Sequence, residues 1–234
     1  MTHTELFPQF VAYHQGGDAN VEGRCIANIC DALSLSEYDR FRLCYYYATC
    51  YNIDSALRLL ENPTLKVNQV VLRTDRRYVR CNGAYDRILK ELDESKLRSL
   101  KVCKTTSEAV KTIEKWYYFG RYASFLFGET YLSVFSPKWN DDIVFDWSQN
   151  ENHVLGAKTL IKERDNGSLN NLLAELKQVP TRFNNSNSLA IETGLCGWWK
   201  ILKGTRWNGF YAERMINEAE NSKYRNIILQ CANT

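Results

Sequence analysis

The sequence predicts a mainly α fold on three observations. Apolar residues recur at helical spacing from end to end, clean alternation over strand length is hard to find, and Gly, Asn and Asp turn signals fall between the periodic stretches. With 234 residues, 44% hydrophobic and 24% charged, the chain suits one large helical domain over 1–234, or two lobes sharing a cleft. Disorder does not fit such a composition.

Taken in order, residues 4–14 read as a short helix stopped at Gly16-Gly17, and 21–33 repeat Cys25, Ile26, Ile29, Cys30 and Leu33 on one stripe. Ser34 with Glu37 is the expected capping box of a tyrosine-rich helix. Its core stripe would be Phe41, Cys44, Tyr45 and Ala48, leaving Arg42, Tyr46, Tyr47 and Tyr51 on the other side. Asp54 is placed to cap a helix through Leu60, which Asn62-Pro63 ends. Residues 66–80 are expected as an irregular loop with a short strand over 70–73. Helix resumes over 83–92, 107–117 and, past Gly120, 121–135. Further helices are expected over 155–164, 168–178, 188–202 and 210–219, with turns at 165–167 and 184–187.

Charge is unevenly spread. Residues 1–39 hold Arg24 against six acids, whereas 40–104 hold fourteen Lys/Arg against seven acids. Lys66, Arg73, Arg76, Arg77 and Arg80 crowd around Asp75, and guanidiniums that close together fork onto phosphate or carboxylate oxygens. They directly follow the tyrosine helix, so planar rings and fixed cations are juxtaposed as in a nucleic-acid or nucleotide site.

The eight cysteines include no CxxC pair and no histidine partner at zinc-finger spacing, so no metal site is expected. No apolar run has membrane-spanning or signal-peptide character, and a reducing cytoplasm is the expected setting, with most thiols as small core residues. Cys196, beside Leu195 and Gly197, reads as a packing residue rather than a nucleophile.

Aromatic residues at helical spacing usually belong to a core, and Tyr45 is read that way, whereas Tyr47 and Tyr51 are candidates to line a cleft. Gly120 precedes a helix, where bare amides can meet an anion, but an ordinary glycine turn between packed helices is the preferred reading. Asp146, between Phe145 and Trp147, is either an acid whose pKa burial raises or a helix cap or turn former. Glu129 and Glu192 lie in apolar helices, where an acid is either paired or functional. A histidine mechanism is not expected; His153 alone stands near a candidate acid.

Five segments in this order, FRLCYYYATCYNIDSALRLL, LRTDRRYVR, WYYFGRYASFLFGETY, FDWSQNENHVLGA and ETGLCGWWKILKGTRWNGFYAERM, resemble the bacteriophage α-glutamyl/putrescinyl thymine pyrophosphorylases, also described as amino acid:DNA transferases. The resemblance runs from about Phe41 to Met215. It implies a helix-hairpin-helix DNA-glycosylase-like fold, the cytoplasm of a phage-infected bacterium, and double-stranded phage DNA carrying pyrophosphorylated 5-hydroxymethyluracil as substrate. An amino acid or polyamine donor would replace the pyrophosphate. No cofactor is required on this reading, magnesium on the pyrophosphate is compatible with it, and no membrane is involved. The paired glycines of the hairpin are missing around Gly120, which departs from the related glycosylases.

On that resemblance Arg76 and Arg77, oriented by Asp75, would activate the leaving pyrophosphate, with Arg121 beside them. Asp146 or Glu192 would take the proton of the amine. Tyr47, Tyr51, Asn52 and Tyr122 would hold the extruded pyrimidine, and Arg73, Arg80, Gly120, Arg206 and Arg214 would meet DNA. The alternatives are a glycosylase of the same helical fold with Asp146 as its acid, and a DNA-binding accessory module without chemistry.

Overall fold

The computed structural model describes residues 3–16, 21–81, 83–181, 184–185 and 187–233. Among them the chain is mainly helical, with thirteen α-helices, two 3-10 helices and one pairing of two-residue strands, Pro180–Thr181 with Asn184–Asn185. No described helix is long and apolar enough to cross a membrane. The helices are α1 (His3–Gln15), α2 (Val21–Ala32), α3 (Glu37–Cys50), α4 (Ile53–Glu61), α5 (Ala84–Lys90), α6 (Glu94–Lys101) and α7 (Thr106–Glu114). There follow α8 (Arg121–Phe135), α9 (Asn152–Thr159), α10 (Asn166–Lys177), α11 (Ser188–Leu202), α12 (Phe210–Glu218) and α13 (Arg225–Asn233). They divide into two compact units, each assembled from separated stretches: Met1–Val21 with Ile143–Glu213, and Glu22–Asp142 with Arg214–Thr234.

The second unit is built around α3, which packs on α4, α6 and α8. Every residue of α3 from Leu43 to Cys50 is buried, as is Phe41, so the helix is aromatic nearly all round and enclosed nearly all round. Burial of a phenol is tolerable only if its hydroxyl is partnered. Tyr45 Oη donates to the Ile88 carbonyl at 3.0 Å, and its ring stacks on Phe119 at 4.7 Å. Ser36, rather than the expected Ser34, caps α3 by accepting from the Asp39 amide. Ser34 has φ 50°, a left-handed conformation that takes it out of the cap. The α4 cap is likewise Asn52, not Asp54, because Asn52 Oδ1 accepts from Ser55 N at 2.9 Å.

Residues 66–80 are not a loop with a strand. They form 3-10 helices over Val67–Gln69 and Thr74–Arg80, tied to α3 by Arg73 N donating to Cys50 O at 3.1 Å and to α4 by Val71 N donating to Ser55 Oγ at 2.8 Å. A strand needs a neighbour's ladder, and here the available acceptors are a helix end and a serine side chain.

In the first unit α11 is central, packed on α9, α10 and α1. Leu6 and Phe10 of α1, Val154 of α9, Leu169 and Leu176 of α10 and Ile191, Leu195 and Trp198 of α11 fill its core with Phe145 and Trp147. The approach of α9 to α11 depends on Gly156. A Cβ there would stand 2.3 Å from the Leu195 carbonyl oxygen.

Candidate functional site

Two groups of polar side chains stand out, one inside each unit. In the second unit Glu22, from the first turn of α2, faces the tyrosine helix. Its carboxylate accepts from the hydroxyls of Tyr47 and Tyr51, the latter at 3.2 Å, and pairs with the Arg214 guanidinium. Arg214 also donates to Tyr47 Oη at 3.1 Å, lies 4.4 Å over the Tyr51 ring, and stands 3.4 Å from Glu218. Glu218 binds Arg73 and accepts from the Ile53 amide at 2.9 Å, where a carboxylate complements the start of α4. Thus Tyr47, Tyr51, Arg73 and Arg214 are brought together, with two acids that sequence reasoning missed. Both acids lie outside the five resembling segments, and nothing local marks either as a partner of α3.

This grouping corrects the picture of Tyr47 and Tyr51 as cleft-lining rings. Both are buried, and Tyr47 has its pKa raised by that burial, so its hydroxyl stays a donor. Asn52 is buried and engaged as the α4 cap. Only Tyr122 of this aromatic set is well exposed, at 48%, with its ring edge-on to Tyr51 at 6.0 Å.

Arg76 is likewise inside. Its Nε donates to the Thr49 carbonyl at 3.2 Å, and both terminal nitrogens reach the Tyr118 carbonyl at 3.3 and 3.2 Å. Those bonds brace the end of α3 against the turn before α8, and burial lowers the guanidinium's pKa. The side chains of Asp75 and Arg77 lie outside the described residues, so the expected orientation of one by the other has no structural counterpart here. Arg80, Gly120 and Arg121 are exposed. Gly120 is the N-cap residue of α8, in extended conformation with open space where a side chain would go. The left-handed residue of that turn is Tyr118, at φ 62°.

In the first unit Asp146 is the turn former of its two readings, not the buried acid. Phe145 and Trp147 are buried, but Asp146 itself is exposed. Its carboxylate accepts from Ser148 N and Oγ at 3.0 and 2.6 Å and from Gln149 Nε2 at 2.8 Å, the pattern of an Asx turn. Strand-like alternation over 145–147 buries the two neighbours and turns the acid outward.

Glu192 sits elsewhere, with His153 and Cys196. One carboxylate oxygen is 3.3 Å from His153 Nδ1 and accepts from the Cys196 thiol at 3.7 Å. Glu151 approaches the same ring nitrogen at 3.4 Å. His153 is 1% exposed, its ring tilted against Phe145 at 5.1 Å. Its nitrogens make no hydrogen bond of acceptable geometry despite those distances. Burial and the Glu192 carboxylate both push the Cys196 thiol pKa up, and Arg206 pulls it partway back. Arg206 is itself half-buried, donating to the Tyr211 hydroxyl with its guanidinium over the Phe210 and Tyr211 rings at 4.9 and 5.0 Å.

The ligand-type atoms of His153, Glu192 and Cys196 all lie within 4.8 Å of one another. Such a group offers a carboxylate that can take up a proton, or it can converge on a cation. The sequence did carry a signal for part of it: Glu192 and Cys196 are four apart on one helix face. Compared with protein-family models and with curated proteins, the chain matches none.

Proposed function

We propose that this protein is a transferase acting on phage DNA, which replaces the pyrophosphate of 5-pyrophosphoryloxymethyluracil with an amine from an amino acid or polyamine. The observation that carries the reading is that the five resembling segments contribute all the side chains of both polar groups except Glu22 and Glu218. A further support is the exposed face of residues 66–80 and 120–122. Lys66, Arg80 and Arg121 offer cations there, and Tyr78 and Tyr122 offer rings 61% and 48% exposed, a pairing suited to a nucleic-acid strand.

In this reading a carbon–nitrogen bond forms at the exocyclic methylene as the carbon–oxygen bond to pyrophosphate breaks. The amine's proton passes to Glu192. Arg80 and Arg121, both exposed, meet backbone phosphates of the DNA. Arg76 serves as a brace rather than a clamp. Asp146, the acid that a glycosylase would depend on, is engaged with Ser148 and Gln149.

The test is direct: duplex DNA bearing the pyrophosphorylated base is incubated with the protein and a panel of amino acids and polyamines. Released pyrophosphate and a modified nucleoside by mass spectrometry are expected. Folded protein that yields neither with any donor would refute the proposal.

A further inference from the structure

The His153, Glu192 and Cys196 group has a geometry that proton transfer does not require. We infer that it is a binding site for a single divalent transition-metal ion of the zinc type.

The ligand set is the first argument. Imidazole, carboxylate and thiolate together suit zinc and cobalt and are a poor match for magnesium or calcium, which take oxygen. Distances are the second. Around a tetrahedral zinc, with bonds of ~2.0 Å to nitrogen, ~2.1 Å to oxygen and ~2.3 Å to sulfur, the nitrogen–oxygen edge is about 3.4 Å and the sulfur–oxygen edge about 3.6 Å. The corresponding separations here are 3.3 Å for His153 Nδ1 to Glu192 and 3.7 Å for Cys196 Sγ to Glu192.

Direction is the third argument. A hydrogen bond would place the acceptor on the axis of the imidazole nitrogen, yet neither carboxylate sits where His153 can bond it. Edges of a coordination polyhedron lie off that axis, because the axis points at the metal. An imidazole this deeply buried with no hydrogen bond is costly unless something else meets it. Gly156 completes the arrangement, since it lets α9 come close enough to α11 for one residue of the first to meet two of the second. Glu192 and Cys196 are only half-buried, which leaves a way in for the ion.

The inference goes beyond the transferase reading and is tested without DNA. A bound ion would occupy the Glu192 oxygen that a proton acceptor needs, so the two uses are alternative states of one carboxylate. The reduced full-length chain is titrated with cobalt chloride, and separately with zinc chloride followed by dialysis and elemental analysis. Expected are one equivalent bound and, for cobalt, a thiolate-to-metal charge-transfer band. C196S should abolish the band, and C196S, H153Q and E192Q should each weaken binding by more than the ~10–100-fold that changes outside the ligand shell cost. The doubly substituted C81S/C103S chain, which keeps the site but loses two accessible thiols, should bind as the parent does. Circular dichroism establishes that each variant is folded; where C196S is not, E192Q carries the comparison. No binding by the parent at micromolar metal would overturn the inference, and so would binding that survives the ligand substitutions or disappears with Cys81 and Cys103.

Discussion

Arg214 shows how much can depend on one side chain. It compensates Glu22, donates to Tyr47 and covers the Tyr51 ring in the interior of its unit. Removing one member of a buried ion pair leaves the other uncompensated, at a cost of ~3–5 kcal/mol. Arg214→Ala should therefore lower the urea-derived unfolding free energy by about that amount. Tyr51→Phe, which deletes one 3.2 Å hydrogen bond and keeps the ring, should cost only ~1–2 kcal/mol. His14 sets a pH dependence of its own. Burial lowers its pKa from 6.5 to about 4, and its ring stacks on Phe10 at 5.6 Å. The folded state thus keeps His14 neutral, while the unfolded chain takes up a proton as pH falls below 6.5. The stability this neutral form contributes is complete above pH 6.5 and declines as pH falls toward 4, by ~1.4 kcal/mol per unit within that window. Denaturation curves at several pH values should show that slope, and His14→Phe should flatten it.

At the scale of elements, two glycines separate close packing from mere turn formation. Gly156→Ala would drive a methyl against the Leu195 carbonyl and force α9 away from α11, so a loss of ~1–3 kcal/mol by thermal or chemical denaturation is expected. Gly120→Ala meets open space in an extended backbone and should stay within ~0.5 kcal/mol of the parent. Most helices were legible because their apolar residues keep step with the helical repeat; α11 begins and ends where the pattern says. α6 was not, since Leu97 and Leu100 are its only apolar residues and Asp93, its cap, reads equally well as a turn former. α13 was missed too, its apolar residues being crowded as Ile227, Ile228, Leu229, Cys231 and Ala232 rather than spaced in a longer helical repeat. The basic run was legible as a concentration of charge but not as a surface. Whether an arginine faces solvent depends on acceptors far away in sequence, and those of Arg73 and Arg76 are Glu218 and the carbonyls of Thr49 and Tyr118. The same holds for His153, whose neighbours Glu192 and Cys196 come from a different helix.

At the scale of the whole molecule, each unit draws on stretches from separated parts of the sequence. The first unit needs α1, whose Leu6, Phe10 and Tyr13 belong to its core. A chain started at Val21 should therefore lose more than ~3 kcal/mol from that unit, given ~1.5–3 kcal/mol for each large apolar side chain buried, and its core amides should exchange faster with deuterium. The second unit has a similar requirement at its other end. Glu22 leaves the ribosome well before Arg214 and Glu218, which follow it 192 and 196 residues later. At about 5–20 residues per second the delay is on the order of ten to forty seconds. Through that interval a carboxylate and two phenols bound for the interior have no counter-charge, and α3 cannot close over them at its final stability. The enclosed tyrosine helix therefore makes completion of this unit wait on the synthesis of α12, timed by the arrival of Arg214 and Glu218.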